Sequence, residues 1–447
     1  VQVNPSIFKA YDIRGTYPDD LNEEIGHAIG RAFVTFLKVD TVIVGRDMRL
    51  SGPQMFEAVT RGLTDQGADV IDIGMVSTDQ YYYACATLRH AGVMVTASHN
   101  PAEYNGFKMV REMPHLLSGD EGIQDIRILV ESEDFPTPRR KGSITPMDIS
   151  DGFVDKILGL VDTSSFESQK IIADTGNGMV GPILTRVYEK LPVQLTGLYL
   201  EPDGSLPNHG LDPLQPENRA ELQQRVGDEG ADIGFAFDGD GDRFFTIDDR
   251  GHFVSGDFLT ALMSQYFLQK YPGSKIIYDV RASWAVPDLI HQAGGIPLME
   301  RVGHAFIKQR MAKENAVFAG EVTGHYYFRD FFCADSGILP SLVLIELLSK
   351  QNASLSDLLQ PLEAKYFISG EINTRISADP MAKMQELADT YKDGAIHWLD
   401  GVSVTYDDWH FNVRPSNTEP LLRLNLEGKS RNLMETRRDE VLEIIRS

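Results

Sequence analysis

Cysteine is almost missing from this sequence of 447 residues: only Cys85 and Cys333 occur, each in an apolar or aromatic stretch and neither in a metal-ligand spacing. That leaves no disulfide framework and no cysteine-rich zinc site, and both read as reduced, buried thiols. Long apolar runs are missing too, since no stretch approaches the roughly 20 residues that a membrane-spanning helix needs. Positive charge is scarce: 42 Lys and Arg stand against 65 Asp and Glu, a net charge of −23. Such a field repels nucleic acid and anionic lipid. An anionic small ligand therefore needs a local reversal of sign. The opening residues, Val1 to Ser6, lack a basic segment followed by an apolar one, so no secretory signal is read there. The expectation is a cytoplasmic protein, monomer or homodimer, with neither a membrane nor a nucleic-acid partner.

What is present is α/β patterning at a length that suits three or four domains. Thr41-Val42-Ile43-Val44 reads as a buried strand leading to Asp47, and Gly52 to Gly62 then carries apolar residues at helical spacing. The device recurs as Lys170-Ile171-Ile172-Ala173-Asp174 and Lys275-Ile276-Ile277-Tyr278-Asp279. Each copy leads to a second buried strand: Gly92 to Val95, Ile233 to Phe237 and Ala316 to Ala319. The loops that follow are Thr96 to Pro101, Asp238 to Arg243 and Gly320 to His325. Ligands of open α/β sheets collect at the carboxyl ends of strands, so these loops are expected to converge on a central cleft.

Residues 131–148, charged and holding three prolines, read as a linker, and Asp257 after Ser255-Gly256 as a helix cap. The tail lacks the repeat and ends in strand, loop, strand and helix. The predicted fold class is thus α/β: three related mixed α/β domains at 1–150, 151–254 and 255–366, and a smaller C-terminal α+β domain at 367–447.

Asp238-Gly239-Asp240-Gly241-Asp242 is the strongest chemical signal. Carboxylates about 5 Å apart repel by roughly 3 kcal/mol per pair at an effective dielectric of about 20. An all-oxygen ligand set suits Mg²⁺ or Ca²⁺. An EF-hand calcium loop fails, because Arg243 and Asp249 stand where it needs Gly and Glu. Ser98, in Thr96-Ala97-Ser98-His99-Asn100-Pro101, reads by itself as a turn or capping residue; Asn105-Gly106-Phe107-Lys108 adds a cation nearby. A serine-hydrolase elbow lacks its flanking glycines. Arg414-Pro415-Ser416-Asn417-Thr418-Glu419-Pro420 offers a guanidinium, hydroxyls, an amide and backbone N–H groups between two strands. That makes it either a polar hairpin or a phosphate clamp. With Arg14, Lys108, Arg243 and Arg423 it supplies the positive patch an acidic protein needs.

These loops, with Tyr11-Asp12-Ile13-Arg14-Gly15, resemble the α-D-phosphohexomutase family along the whole chain, within it the phosphomannomutase/phosphoglucomutase branch. The resemblance implies an isomerase that interconverts hexose 1-phosphate and hexose 6-phosphate, of mannose or glucose or both, through phospho-Ser98 and a hexose 1,6-bisphosphate that also serves as activator. It implies Mg²⁺ on Asp238, Asp240, Asp242 and the phosphate of Ser98. Lys108 and His304 are implied as proton carriers, Arg14 and Arg243 as further catalytic residues. Substrate contacts fall to His99, Arg301, Gly303, Glu321, Thr323, His325, Arg414, Ser416, Asn417, Thr418 and Arg423. Glu321 and Thr323 would read the O3 and O4 edge, which ignores C2, where glucose and mannose differ. Thr323 stands where many members have Ser, and Arg301 where many have Lys. Asn417 argues against the phosphoglucosamine mutase branch, which usually has Gly there. The competing readings are a haloacid-dehalogenase-like phosphohydrolase with Asp238 as nucleophile and a non-catalytic sugar-phosphate sensor; the first lacks its hydroxyl residue, Asp242 standing there.

Overall fold

The three apolar segments that run to an aspartate form strands Thr41–Arg46, Lys170–Asp174 and Lys275–Asp279. Each pairs in parallel with the second strand of its repeat: Ala91–Val95, Ile233–Phe237 and Phe318–Gly320. Helices Gly52–Asp65, Val180–Tyr188 and Ala285–Gln292 fill the crossovers. Strands buried on both faces have no polar alternation to show, which is why they read as continuous apolar runs.

The computed structural model that carries these elements describes residues 2–416 and 421–447. It falls into two units, Val1–Phe253 with His325–Asn352, and Val254–Gly324 with Ala353–Ser447. In the first, one sheet runs in the order Ile13–Thr16, Tyr104–Glu112, Ala91–Val95, Thr41–Arg46, Asp69–Met75, Ile144–Pro146. A second sheet runs Phe244–Ile247, Ile233–Phe237, Lys170–Asp174, Gln194–Leu198. The expected linker contributes to the first sheet: Ile144–Pro146 adds a parallel edge strand beside Asp69–Met75. Arg140, bonded to both carboxylate oxygens of Asp69 at 2.9 and 2.7 Å, pins it there.

Helix Ile338–Gln351 is buried from Ile338 through Ser349. A helix apolar on every side needs cover all round. His325–Asn352 finds it in the first unit, where Tyr188 donates to Ser341 Oγ (2.7 Å) and the Asp162 N–H to Glu346 Oε2 (2.9 Å).

In the second unit, Ile296–Glu300, Lys275–Asp279 and Phe318–Gly320 lie parallel. Helix Gly256–Lys270 is capped by Ser255, which accepts from Phe258 N. Asp257, read as the cap, instead turns inward to accept from Ser283 N (2.9 Å). The C-terminal sheet is antiparallel, in the order Phe367–Ile368, Leu421–Gly428, Trp409–Pro415, Val402–Thr405, Ala395–His397. Helices Pro380–Thr390 and Arg431–Arg446 add Leu387 and Val441 to the core formed on Phe411 and Leu424. Both cysteines are free and buried. Among the described residues no helix is long and apolar enough to cross a membrane.

Candidate active site

Ser98 follows strand Ala91–Val95 and holds φ at 52°, the left-handed region. That costs a side-chain-bearing residue about 1–2 kcal/mol, so the surroundings must impose it. Arg49 does much of this. Its Nη2 donates to the carbonyls of Ser98 (2.8 Å) and Asn100 (2.7 Å), and its Nη1 to those of Pro101 (2.7 Å) and Tyr104 (2.9 Å). Arg49 is in turn fixed by Asp47, which accepts from its Nε (3.2 Å) and its backbone N–H (3.0 Å). Thr96 closes the circuit: its hydroxyl donates to Asp47 (2.7 Å) and accepts from Ser98 N (2.9 Å).

Strand Ile233–Phe237 delivers Asp238, Asp240, Asp242 and Arg243, all buried. Gly239 permits the approach of the two loops, because a Cβ there would lie 2.7 Å from the Ser98 carbonyl. Ser98 Oγ donates to Asp238 Oδ2 (3.1 Å), which also accepts from Arg243 Nε (2.9 Å). Lys108 Nζ bonds Asp240 Oδ2 and Asp242 Oδ2, both at 2.6 Å, and Thr78 donates to the same Asp240 oxygen (2.6 Å). Among the described residues Asp240 Oδ1 is left buried with no hydrogen-bond partner, while Asp242 Oδ1 faces the His325 ring at 3.5 Å. One oxygen from each of the three aspartates lies within 4.8 Å of the others. An orphaned anionic oxygen on Asp240, in a cluster that offers only carboxylate oxygens from its three aspartates, fits a hard divalent cation.

The electrostatics agree. Burial raises the pKa of Asp238 to about 7, against the pull of Arg243. Burial opposes the charge on Lys108, but Asp240 and Asp242 outweigh it and its pKa is raised. His99 Nδ1 lies 3.2 Å from Ser98 Oγ, and burial with Arg243 and Arg14 pushes its pKa well down, so the ring is neutral. Arg14 pairs with Asp12 and donates to Asn100 Oδ1 (2.6 Å). His325 Nε2 is 3.5 Å from Asp242 Oδ1, and His325 forms a backbone bridge with Arg243.

The second unit gathers the other expected residues. Val322 N donates to Asp279 Oδ2 (2.8 Å), and Glu321 Oε2 accepts from Gly303 N (3.3 Å) at the head of helix His304–Glu314. Arg281 bonds both oxygens of Asp279 (3.0 and 2.9 Å) and Thr323 Oγ1 (3.4 Å), and lies 3.6 Å from Glu321. His304 Nδ1 sits 3.3 Å from Lys308 Nζ, and the Arg301 guanidinium lies over the Phe306 ring. Arg414 Nε donates to Asp400 (3.4 Å); Arg423 donates to Glu371 (3.1 Å) and Ser416 (3.4 Å). Asn417 and Thr418 lie outside the described residues.

Four domain models of phosphoglucomutase/phosphomannomutase match in order: α/β/α domain I at residues 5–137, domain II at 151–251, domain III at 255–366 and the C-terminal domain at 371–444. The chain belongs to the phosphoglucomutase/phosphomannomutase family. A phosphomannomutase of Salmonella montevideo is 41% identical, covering 99% of this chain and all of its own. A protein of Xanthomonas campestris pv. campestris named phosphohexose mutases is also 41% identical, over 98% of this chain and 99% of its own. The crystal structure of a phosphoglucomutase/phosphomannomutase family protein from Burkholderia thailandensis superposes with a TM-score of 0.91 at 34% identity, covering 99% and 97% of the two chains. As a member of this mutase family the chain is an isomerase, and the phosphohydrolase alternative gives way.

Within this mutase-family chain, sequence reading overlooked Arg49 and Arg281. The signal was there: Asp47-Met48-Arg49 and Asp279-Val280-Arg281 stand at the same place in two repeats. In each the aspartate accepts from the backbone N–H two residues on, as Asp174 does from Gly176 (2.9 Å) in the third. Thr78, Glu371 and Asp400 were missed for a different reason, since each acts through partners remote in sequence.

Proposed function

We propose that this mutase is a cytoplasmic, magnesium-dependent phosphohexomutase acting on mannose and glucose phosphates through phospho-Ser98 and a hexose 1,6-bisphosphate. One observation carries the reading: Ser98 Oγ lies 3.1 Å from Asp238 Oδ2, beside Asp242 and beside Asp240, whose buried Oδ1 has no hydrogen-bond partner among the described residues. Asp238, Asp240 and Asp242 would hold Mg²⁺ beside Ser98, where it would supply charge neutralisation for a phosphoryl group.

The chain's own groups do the rest. Phospho-Ser98 passes its group to a sugar hydroxyl: the bond from phosphorus to Oγ breaks as the bond to the sugar oxygen forms, and the hydroxyl proton replaces phosphorus on Oγ. Neutral His99, with Nδ1 at 3.2 Å, is placed to relay that proton. Lys108, expected among the proton carriers, is in this arrangement a cation held by two carboxylates, which suits charge neutralisation. The reverse transfer from the other end of the bisphosphate restores phospho-Ser98.

Glu321 and Thr323 take the O3 and O4 edge, so both epimers at C2 are accepted. Arg414, Ser416 and Arg423 take the phosphate that is not transferred, and His304 assists proton movement. The test is a coupled assay with mannose 1-phosphate and glucose 1-phosphate in parallel, with Mg²⁺ and a trace of the bisphosphate. Formation of both 6-phosphates, abolished by Ser98→Ala, is the expected result. Release of free phosphate alone, or full activity of Ser98→Ala, would sink the proposal.

A further inference from the structure

Glu371 and Asp400 share an arrangement that the proposed chemistry leaves unused. Glu371 Oε1 accepts from Arg423 Nη1 (3.1 Å) and its Oε2 from Arg281 Nη1 (3.3 Å). Asp400 Oδ1 accepts from Arg414 Nε (3.4 Å) and its Oδ2 from Val302 N (3.0 Å). Each carboxylate therefore gives one oxygen to an arginine of the paired strands Trp409–Pro415 and Leu421–Gly428. It gives the other to a group that touches the proposed sugar-reading loop. Arg281 is locked on Asp279 and bonds Thr323, while Val302 precedes Gly303, whose N–H donates to Glu321.

Charge makes this arrangement informative. A carboxylate beside an anion-binding guanidinium opposes the anion. Two of them, one on each arginine, weaken a bare phosphate site, and geometry is the benefit that offsets the loss. We infer that Glu371 and Asp400 are positioning residues that keep Arg414 and Arg423 in register with the loop of Glu321 and Thr323, so that one hexose phosphate engages both. The inference rests on reading the two arginines as a phosphate clamp.

A ligand that spans both sites should bind more weakly, whereas one that uses the clamp alone should not. Glu371→Gln and Asp400→Asn, singly and combined in the full chain, are compared with the parent for KM and kcat on hexose 1-phosphate and for inhibition by inorganic phosphate. In the combined variant KM should rise about tenfold with kcat within about twofold, while phosphate inhibits equally well or better. An unchanged KM, or equal weakening of sugar phosphate and inorganic phosphate, overturns the inference. Arg423→Ala separates the two claims: if it leaves both KM and phosphate inhibition untouched, the clamp reading itself has failed. Should the combined variant not fold, the single substitutions carry the same comparison.

Discussion

Replacing Arg49 with methionine removes the guanidinium that donates to Asp47 and to the carbonyls of Ser98, Asn100, Pro101 and Tyr104. Asp47 is then a buried carboxylate without its cation, and breaking such a pair costs about 3–5 kcal/mol. The freed carbonyls add less than their nominal values, because the loop can open to water. A loss of about 4 kcal/mol lowers the melting temperature by roughly 7 °C for a unit of this size. Activity should suffer separately. Without the clamp, Ser98 relaxes from its φ of 52°, and misplacing a reacting atom by about 1 Å costs about 100-fold. The assays are thermal unfolding, kcat/KM, and the phosphorylated fraction of Ser98 by mass spectrometry. Adding Asp47→Asn to Arg49→Met should recover stability but not turnover, since it removes the stranded charge without restoring the loop. If Arg49→Met loses under about 1 kcal/mol and keeps kcat/KM within about threefold, Arg49 does not hold the loop as argued.

Two further outcomes follow from packing and protonation. A Cβ on Gly337 would lie 2.6 Å from the Gly241 carbonyl and 3.1 Å from that of Arg243; Gly337→Ala should displace the aspartate loop and weaken Mn²⁺ binding, read by electron paramagnetic resonance, by roughly tenfold, and an unchanged Kd would refute this. Burial raises the pKa of Asp79 to about 6, against the hydroxyls of Ser336 and Ser77. Folding therefore favours its protonated form, so its contribution is full below the unfolded value of about 4 and is lost as pH rises through about 6. Asp79→Asn should remove that part of the slope from the denaturant midpoints of the metal-free protein between about pH 4 and 6.5; a parent and variant that run parallel would show that Asp79 titrates normally.

Most of the proposed site was legible because its residues sit in contiguous loops. The alternate carboxylates of Asp238, Asp240 and Asp242 announce a cation by their spacing, and the apolar strand before them places the loop at a sheet's carboxyl end. The Asp-x-Arg pairs at 47–49 and 279–281 were equally visible and were passed over, because one arginine after a strand carries no signal until its carbonyl partners are known. Thr78 could not be found at all from the chain: its donation to Asp240 joins residues 162 positions apart. The edge strand Ile144–Pro146 was hidden in a charged, proline-bearing stretch whose pairing depends on Arg140 meeting Asp69.

The sequence by itself determined the three-fold repeat, the strands that end in aspartate, the acidic loop of Asp238, Asp240 and Asp242, and the family, since each is written in local periodicity or in a contiguous motif. Only the tertiary structure decided how the charges are balanced. It placed Lys108 between Asp240 and Asp242, Arg49 against the Ser98 loop, and Glu371 and Asp400 on Arg423 and Arg414. It also gave residues 325–352 to the first unit. The reason is physical: periodicity reports which face of an element is buried, whereas charge pairing and burial depend on distances between segments far apart in the chain.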